Sequence, residues 1–146
     1  MPEKIVELEV IRDVVDKDYV VIACGGGGIP VVTDAGGYRA VDAVIDKDLA
    51  SALLAEKINA KRFIISTGVQ HVCLNFGQEN EKKLAEVSVA EMKQYVAEGH
   101  FAPGSMLPKI EAAIGFIEMG GEEVIITAPE FLKDAIDHKT GTRLTK

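Results

Sequence analysis

Apolar residues at Ile5, Leu8, Ile11 and Val15 follow the three-and-four spacing of one helical face, predicting an amphipathic helix from Glu3 to Asp16. Asp16-Lys-Asp18 breaks it. Tyr19-Val-Val-Ile-Ala-Cys24 then runs without a polar residue and is rich in β-branched types, which reads as a strand buried on both faces. Val31–Thr33 and Tyr38–Ala40 flank Asp34-Ala-Gly-Gly37, a hairpin pattern. Asp46 is a natural N-cap for a helix running to Ile58, filled by alanines and leucines. Arg62–Ser66 is the next buried strand, ended by Thr67-Gly68, and Val72–Asn75 is a short strand beyond it. Gln78 to Lys83 is polar and reads as an exposed loop.

Further along, Ser88-Val-Ala-Glu91 matches a capping box and opens a helix through Val96 that Gly99 stops. His100–Gly104 is a loop. A helix from Ser105 to Met119 follows, with Ile110, Ala113, Ile114 and Ile117 on one face, and Gly120-Gly121 ends it. Glu123–Thr127 is a third buried strand. Thr127-Ala-Pro-Glu130 caps a short helix to Asp137, and Thr142–Thr145 forms a closing strand. Strands alternating with helices imply an α/β fold, a mainly parallel sheet flanked by helices on both faces. In such sheets ligands gather beyond the carboxyl ends of the strands, where Gly25-Gly26-Gly27-Gly28 and Thr67-Gly68 both fall.

Composition narrows the picture. A chain of 146 residues, 47% apolar and 27% charged, is one domain's worth of globular protein. A net charge of −7 with no basic block argues against nucleic acid as a partner. No apolar run approaches a membrane span, and Met1-Pro-Glu-Lys4 is no signal peptide. Cys24 and Cys73 each end an apolar run and read as small buried thiols in a reducing cytosol, with no metal spacing between them, which places the chain in the cytoplasm.

Four consecutive glycines leave the backbone free to turn and let a ligand approach its amides, more freedom than a tight structural turn needs. Neither GxxxxGK[ST] nor GxGxxG fits them, since Pro30 occupies the third glycine's place. Two lysines sit where local energetics oppose them. Lys47 follows the Asp46 cap and Lys109 follows Pro108, so both fall in first turns, where the macrodipole disfavours a cation by roughly 0.3–1 kcal/mol. A bound anion reverses that sign, because helix N-termini and lysines both attract phosphate. Asp48, also in a first turn, suits the dipole and could orient a lysine. His71, Glu79 and Glu81 are too loosely placed for a metal site, and His138 reads as solvated. His100 precedes a loop and is a weaker candidate for a ligand contact. Asp42, Asp46 and Asp48 could coordinate a divalent cation, but Asp46 is better explained as a cap.

Cys24–Val32, Ala43-Val-Ile-Asp-Lys-Asp-Leu-Ala50, Thr67-Gly-Val69 and His100-Phe-Ala-Pro-Gly-Ser-Met-Leu-Pro-Lys-Ile-Glu-Ala-Ala-Ile114, with the closing Gly141-Thr142, resemble carbamate kinase, of the amino-acid kinase superfamily. The motifs keep the family's order, and the likeness covers the whole chain as a single domain, residues 1–146, matching the C-terminal half of such enzymes. The resemblance implies a three-layer amino-acid kinase sandwich and reversible phosphoryl transfer between ATP and carbamate, giving ADP and carbamoyl phosphate with Mg²⁺. On that likeness Lys47 and Lys109 neutralise the transferring group and the nucleotide phosphates, and Asp48 holds both lysines. Gly25, Gly26, Gly27 and Gly28 line the phosphate and acceptor region, while Thr67, Val69, Gly104, Ser105 and Met106 border the nucleotide. Gln70-His71 departs from the acidic residue common there. The N-terminal half, with its acceptor loop and a further lysine, is not in the sequence, so the implied partners are nucleotide, carbamate or carbamoyl phosphate, a separate N-terminal half and further copies in a homo-oligomer. The alternatives are a nucleotide-binding or regulatory module without catalysis, and a kinase for another small acid.

Overall fold

The computed structural model describes residues 2–146, so Met1, part of the Met1–Lys4 stretch considered above as a leader, lies outside the described residues. Helix α1 is Leu8–Val15, shorter than the predicted Glu3–Asp16, and the Glu7 cap position makes no side-chain bond. Its apolar face is only half-covered. The expected strand Tyr19–Cys24 is not a strand: no strand pairs with it among the described residues, and Val20 and Ile22 are each 96% exposed. A segment apolar on both faces forms a stable strand only where sheet neighbours cover it. Here one side rests on the molecule through Val21 and Ala23, and the other faces out.

Strands β1 (Gly27–Gly28) and β4 (Ile45–Asp46) form a short antiparallel ladder, with Gly27 opposite Asp46. Between them β2 (Val31–Asp34) and β3 (Gly37–Ala40) form the predicted hairpin, exposed throughout. Helix α2 (Lys47–Lys57) starts as predicted, the Asp46 carboxylate accepting from Asp48 N at 2.8 Å and from Leu49 N at 3.4 Å.

Beyond α2 come β5 (Arg62–Ser66), β6 (Val72–Leu74), β7 (Lys82–Leu84) and β8 (Glu86–Ser88). The polar stretch Gln78–Lys83 is therefore not wholly a loop, since its end pairs with β6 in a second hairpin. Helix α3 (Val89–Ala97) carries the full Ser88–Glu91 capping box. Helix α4 (Leu107–Glu118) begins after Met106 with Pro108 in its first turn. Strand β9 (Glu123–Thr127) is buried at every residue. A 3₁₀ turn over Pro129–Phe131 leads into α5 (Leu132–Ile136); Ala128, not Thr127, holds the cap position of the 3₁₀ turn and Phe131 that of α5, neither with a side-chain bond. Strand β10 (Thr142–Thr145) closes the chain.

The main sheet has the order β5-β9-β10-β8. β5 runs parallel to β9 and β8 parallel to β10, while β9 and β10 are antiparallel, so two of the three pairings in this mixed sheet are parallel, in keeping with the mainly parallel sheet expected. The C-terminal strand enters the interior of the sheet, reached from β9 through the 3₁₀ turn and α5. β5 becomes an edge, and Arg62 and Ser66 are exposed. Side chains alternate along β9. Val124 and Ile126 join the core under α4, with Ile110, Ala113, Phe116 and Ile117, while Ile125 meets Ala135 of α5 on the other face. Each fully buried aliphatic of this kind contributes about 1.5–3 kcal/mol. Helix α2 packs on α4, which brings the two helix starts together.

Candidate functional site

The first turns of α2 and α4 and the turn that follows β5 enclose a cavity of about 380 Å³. Asp46 holds the start of α2, so Lys47 projects from the first helical position and Asp48 from the second. Asp48 is buried, and its Oδ2 lies 2.7 Å from Lys109 Nζ and 3.7 Å from Lys47 Nζ. One carboxylate thus bridges the two first-turn lysines that the sequence singles out. Their settings differ, since the Lys109 side chain is 12% exposed and that of Lys47 is 53% exposed. Lys109 is a held, desolvated cation, whereas Lys47 stays half-exposed. Among the described residues these are the cavity's only lysines or arginines.

Thr67, Val69, Gly104, Ser105 and Met106 all line the same cavity, beside Lys47, Asp48 and Lys109. Gly25, Gly26, Gly27 and Gly28 do not line it. The requirement for glycine is structural at one of them. A Cβ on Gly27 would lie 2.4 Å from the Ile45 carbonyl oxygen, so only glycine lets β1 pair this closely with the strand that delivers Asp46 and Lys47.

Cys73, Phe76, His71, His100 and Phe101 also wall the cavity, and of these only His100 is a ligand-contact candidate from the sequence. The exposed Phe76 ring after β6 is a signal that could have been used, since a large aromatic beside a glycine turn suits a planar ligand. His100 is held by Glu98, 3.2 Å from its Nε2. Burial, then the nearby Lys83 charge, lowers the pKa of His71, which favours a neutral ring, and its Nδ1 is buried without a partner. Burial, then Glu81, raises the pKa of the Cys73 thiol, which keeps it protonated. No three His, Cys, Asp or Glu side chains among the described residues are grouped to hold a metal ion. No described helix is long and apolar enough to cross a membrane.

The model of the amino acid kinase family matches residues 1–128. The chain belongs to the amino acid kinase family. Within that family it is 54% identical over 146 residues to the carbamate kinase-like protein YahI of Escherichia coli, covering 99% of this chain and 46% of that protein. It is 52% identical over 147 residues to the carbamate kinase of Staphylococcus haemolyticus, of which it covers 48%. The solved structure of Giardia lamblia carbamate kinase bound to AMP-PNP superposes with a TM-score of 0.96 at 43% identity, over 99% of this chain and 51% of that one. The chain spans about half the length of the curated relatives it matches. An amino acid kinase fold is therefore present, over about half the length of these relatives.

Proposed function

We propose that the cavity binds ADP or ATP and that the chain is the nucleotide-binding, C-terminal half of a carbamate kinase-like phosphotransferase. The observation that carries this reading is the Asp48 carboxylate shared by Lys47 and Lys109 where two helix N-termini meet at a cavity mouth. Phosphoryl transfer asks a protein for positioning and charge neutralisation, with little covalent work. Lys109 is assigned to the nucleotide phosphates, and Lys47, the more exposed cation, to the group in transit. Thr67, Val69 and the Gly104–Met106 turn border the nucleotide, with Phe76 against the base. Gly25 to Gly28 are assigned to the outer, acceptor-facing rim, because Gly27 is the ladder partner of Asp46. In the direction of ATP formation, the bond between phosphorus and the carbamate oxygen of carbamoyl phosphate breaks. A β-phosphate oxygen of ADP forms the new bond to phosphorus.

The residues present do not fit a dedicated Mg²⁺ cage. Asp46 is spent as a cap and Asp48 on the lysines, so a divalent ion is assigned to the nucleotide's own phosphates and water. Nor does the cavity offer a second set of cations to hold an acceptor opposite Lys47 and Lys109. The acceptor side is assigned to the half of the relatives' length that this chain does not span. The same one-sidedness favours, as a second reading, a nucleotide-binding module without catalysis.

The test is calorimetric titration of ADP with Mg²⁺ into the wild type, Lys109→Ala and Lys133→Ala. Lys109→Ala is expected to weaken binding roughly tenfold or more, in line with a charge-assisted phosphate contact. Lys133 is exposed on α5, away from the cavity, and its alanine variant is expected to bind as the wild type does. Equal effects of the two substitutions would remove the case for this site.

A further inference from the structure

The function proposed above leaves the closing Gly141-Thr142 motif without a task, yet its side chain and backbone contacts converge on the wall of the nucleotide cavity. Thr142 and Thr127 are polar residues buried completely. Thr142 Oγ1 accepts from Val72 N at 2.8 Å and donates to the Leu84 carbonyl. Thr127 Oγ1 donates to the Gln70 carbonyl at 3.2 Å. Thr140 Oγ1 accepts from the Gln70 side-chain amide at 2.8 Å and lies 3.5 Å from His71 Nε2. Residues 70 to 72 are thus fastened at a carbonyl, a side chain and an amide, all from β9 and the C-terminal segment.

Gly141 makes this reach possible. Its φ is +82°, and a Cβ there would lie 3.2 Å from Ala135 Cβ and 3.3 Å from Thr127 Cβ and the Ile126 carbonyl oxygen. Only glycine lets the chain cross this close to the end of β9 and present Thr140 and Thr142 on either side. What is fastened is the far end of the Thr67–His71 turn, whose near end is held by Thr67 N donating to Thr127 O at 2.8 Å. Thr67, Gly68, Val69 and His71 wall the cavity, whereas none of the fastening threonines touches it.

We propose that Thr140, Gly141 and Thr142, with Thr127, form a clamp that positions the Thr67–His71 turn and so sets nucleotide affinity without contacting the nucleotide. They are positioning residues, and the clamp's effect on affinity rests on the nucleotide reading above. It acts on the base and ribose end of the cavity. The lysine end is built on α2 and α4 and is independent of it.

The experiment compares the wild type, Thr140→Val, Thr142→Val and Thr142→Ser. It reads ADP and tripolyphosphate affinity by calorimetry, well below the thermal transition, together with amide exchange over residues 68–72. Both valine variants are expected to weaken ADP binding roughly fivefold, the scale of one net hydrogen bond, and to speed exchange across the turn. Tripolyphosphate, which engages only the lysine end, is expected to bind unchanged, and Thr142→Ser is expected to recover ADP binding. Thr142 is buried, so its valine variant can fail to fold. Thr140 is partly exposed, and Thr140→Val then decides the matter. Unchanged exchange in Thr140→Val overturns the clamp, as does an equal loss of both ligands. A wild type that binds no ADP refutes the nucleotide reading instead, and the exchange comparison then judges the clamp by itself.

Discussion

Charge counting places a penalty on any carboxylate near a bound polyphosphate, and Asp48 stands beside both lysines assigned to the phosphates. Its retention there makes sense if the fixed geometry of Lys109 is worth more than the repulsion. Asp48→Asn is therefore expected to weaken ADP binding roughly threefold to tenfold despite removing a negative charge, because the ion pair that fixes Lys109 becomes a weaker bond from its ammonium to a neutral amide oxygen. Calorimetric titration decides it, and tighter binding by the asparagine variant would show that Asp48 only repels. These residues were legible in the sequence because each obeys a local rule. Asp46 caps, Asp48 suits the dipole, and Lys47 and Lys109 break the dipole rule unless something anionic is bound. Cys73 and His71 were not legible as cavity walls, since β6 carries them there only by pairing with β7. Thr127 was misread for a related reason. Its hydroxyl matched a capping pattern, but in the fold it goes to the Gln70 carbonyl.

At the scale of elements, β9 is the sheet's most buried strand, and it opens with a charge. Glu123 is buried at its start and takes hydrogen bonds from Arg62 on β5 and Arg143 on β10, with His138 Nε2 2.9 Å away. Burial pushes the Glu123 pKa up, but the bonds from Arg143 and Arg62, then the charges of Arg62 and His138, outweigh it, leaving a net lowering from 4.5. A carboxyl whose pKa is lowered by folding adds stability above its unfolded value and loses it as pH falls. The thermal midpoint is thus expected to drop as pH is taken from neutrality to below about 4.5. Glu123→Gln is expected to cost on the order of 2 kcal/mol at neutral pH and to flatten that acid-side loss. Parallel pH curves for wild type and variant would remove Glu123 as the tie between the three strands. The sequence showed the strand itself clearly, because Val-Ile-Ile is a continuous apolar run. It did not show the antiparallel β10 beside it, since pairing partners are chosen by long-range packing and not by local composition. The Tyr19–Cys24 run makes the converse point. Its composition is that of a central strand, and the neighbours such a strand needs are not among the described residues.

For the molecule as a whole, the exposed large apolar side chains concentrate between Val6 and Val44. The cavity meanwhile carries its cations on one side only, and the chain spans about half the length of its curated relatives. On the function proposed above, a fold and a site completed by the other half of a carbamate kinase-like protein would account for these observations together. Holding donor and acceptor in line is most of what phosphoryl transfer needs, and misplacement by about 1 Å can cost about a hundredfold. The direct measurement is a coupled assay of ATP formation from ADP and carbamoyl phosphate, first with this chain and then with the N-terminal half of a carbamate kinase added. The account predicts negligible turnover by the chain and turnover that appears on addition of the second half and disappears again with Lys109→Ala. Full turnover by this chain with nothing added would contradict it, because the acceptor site would then have to lie within the residues described.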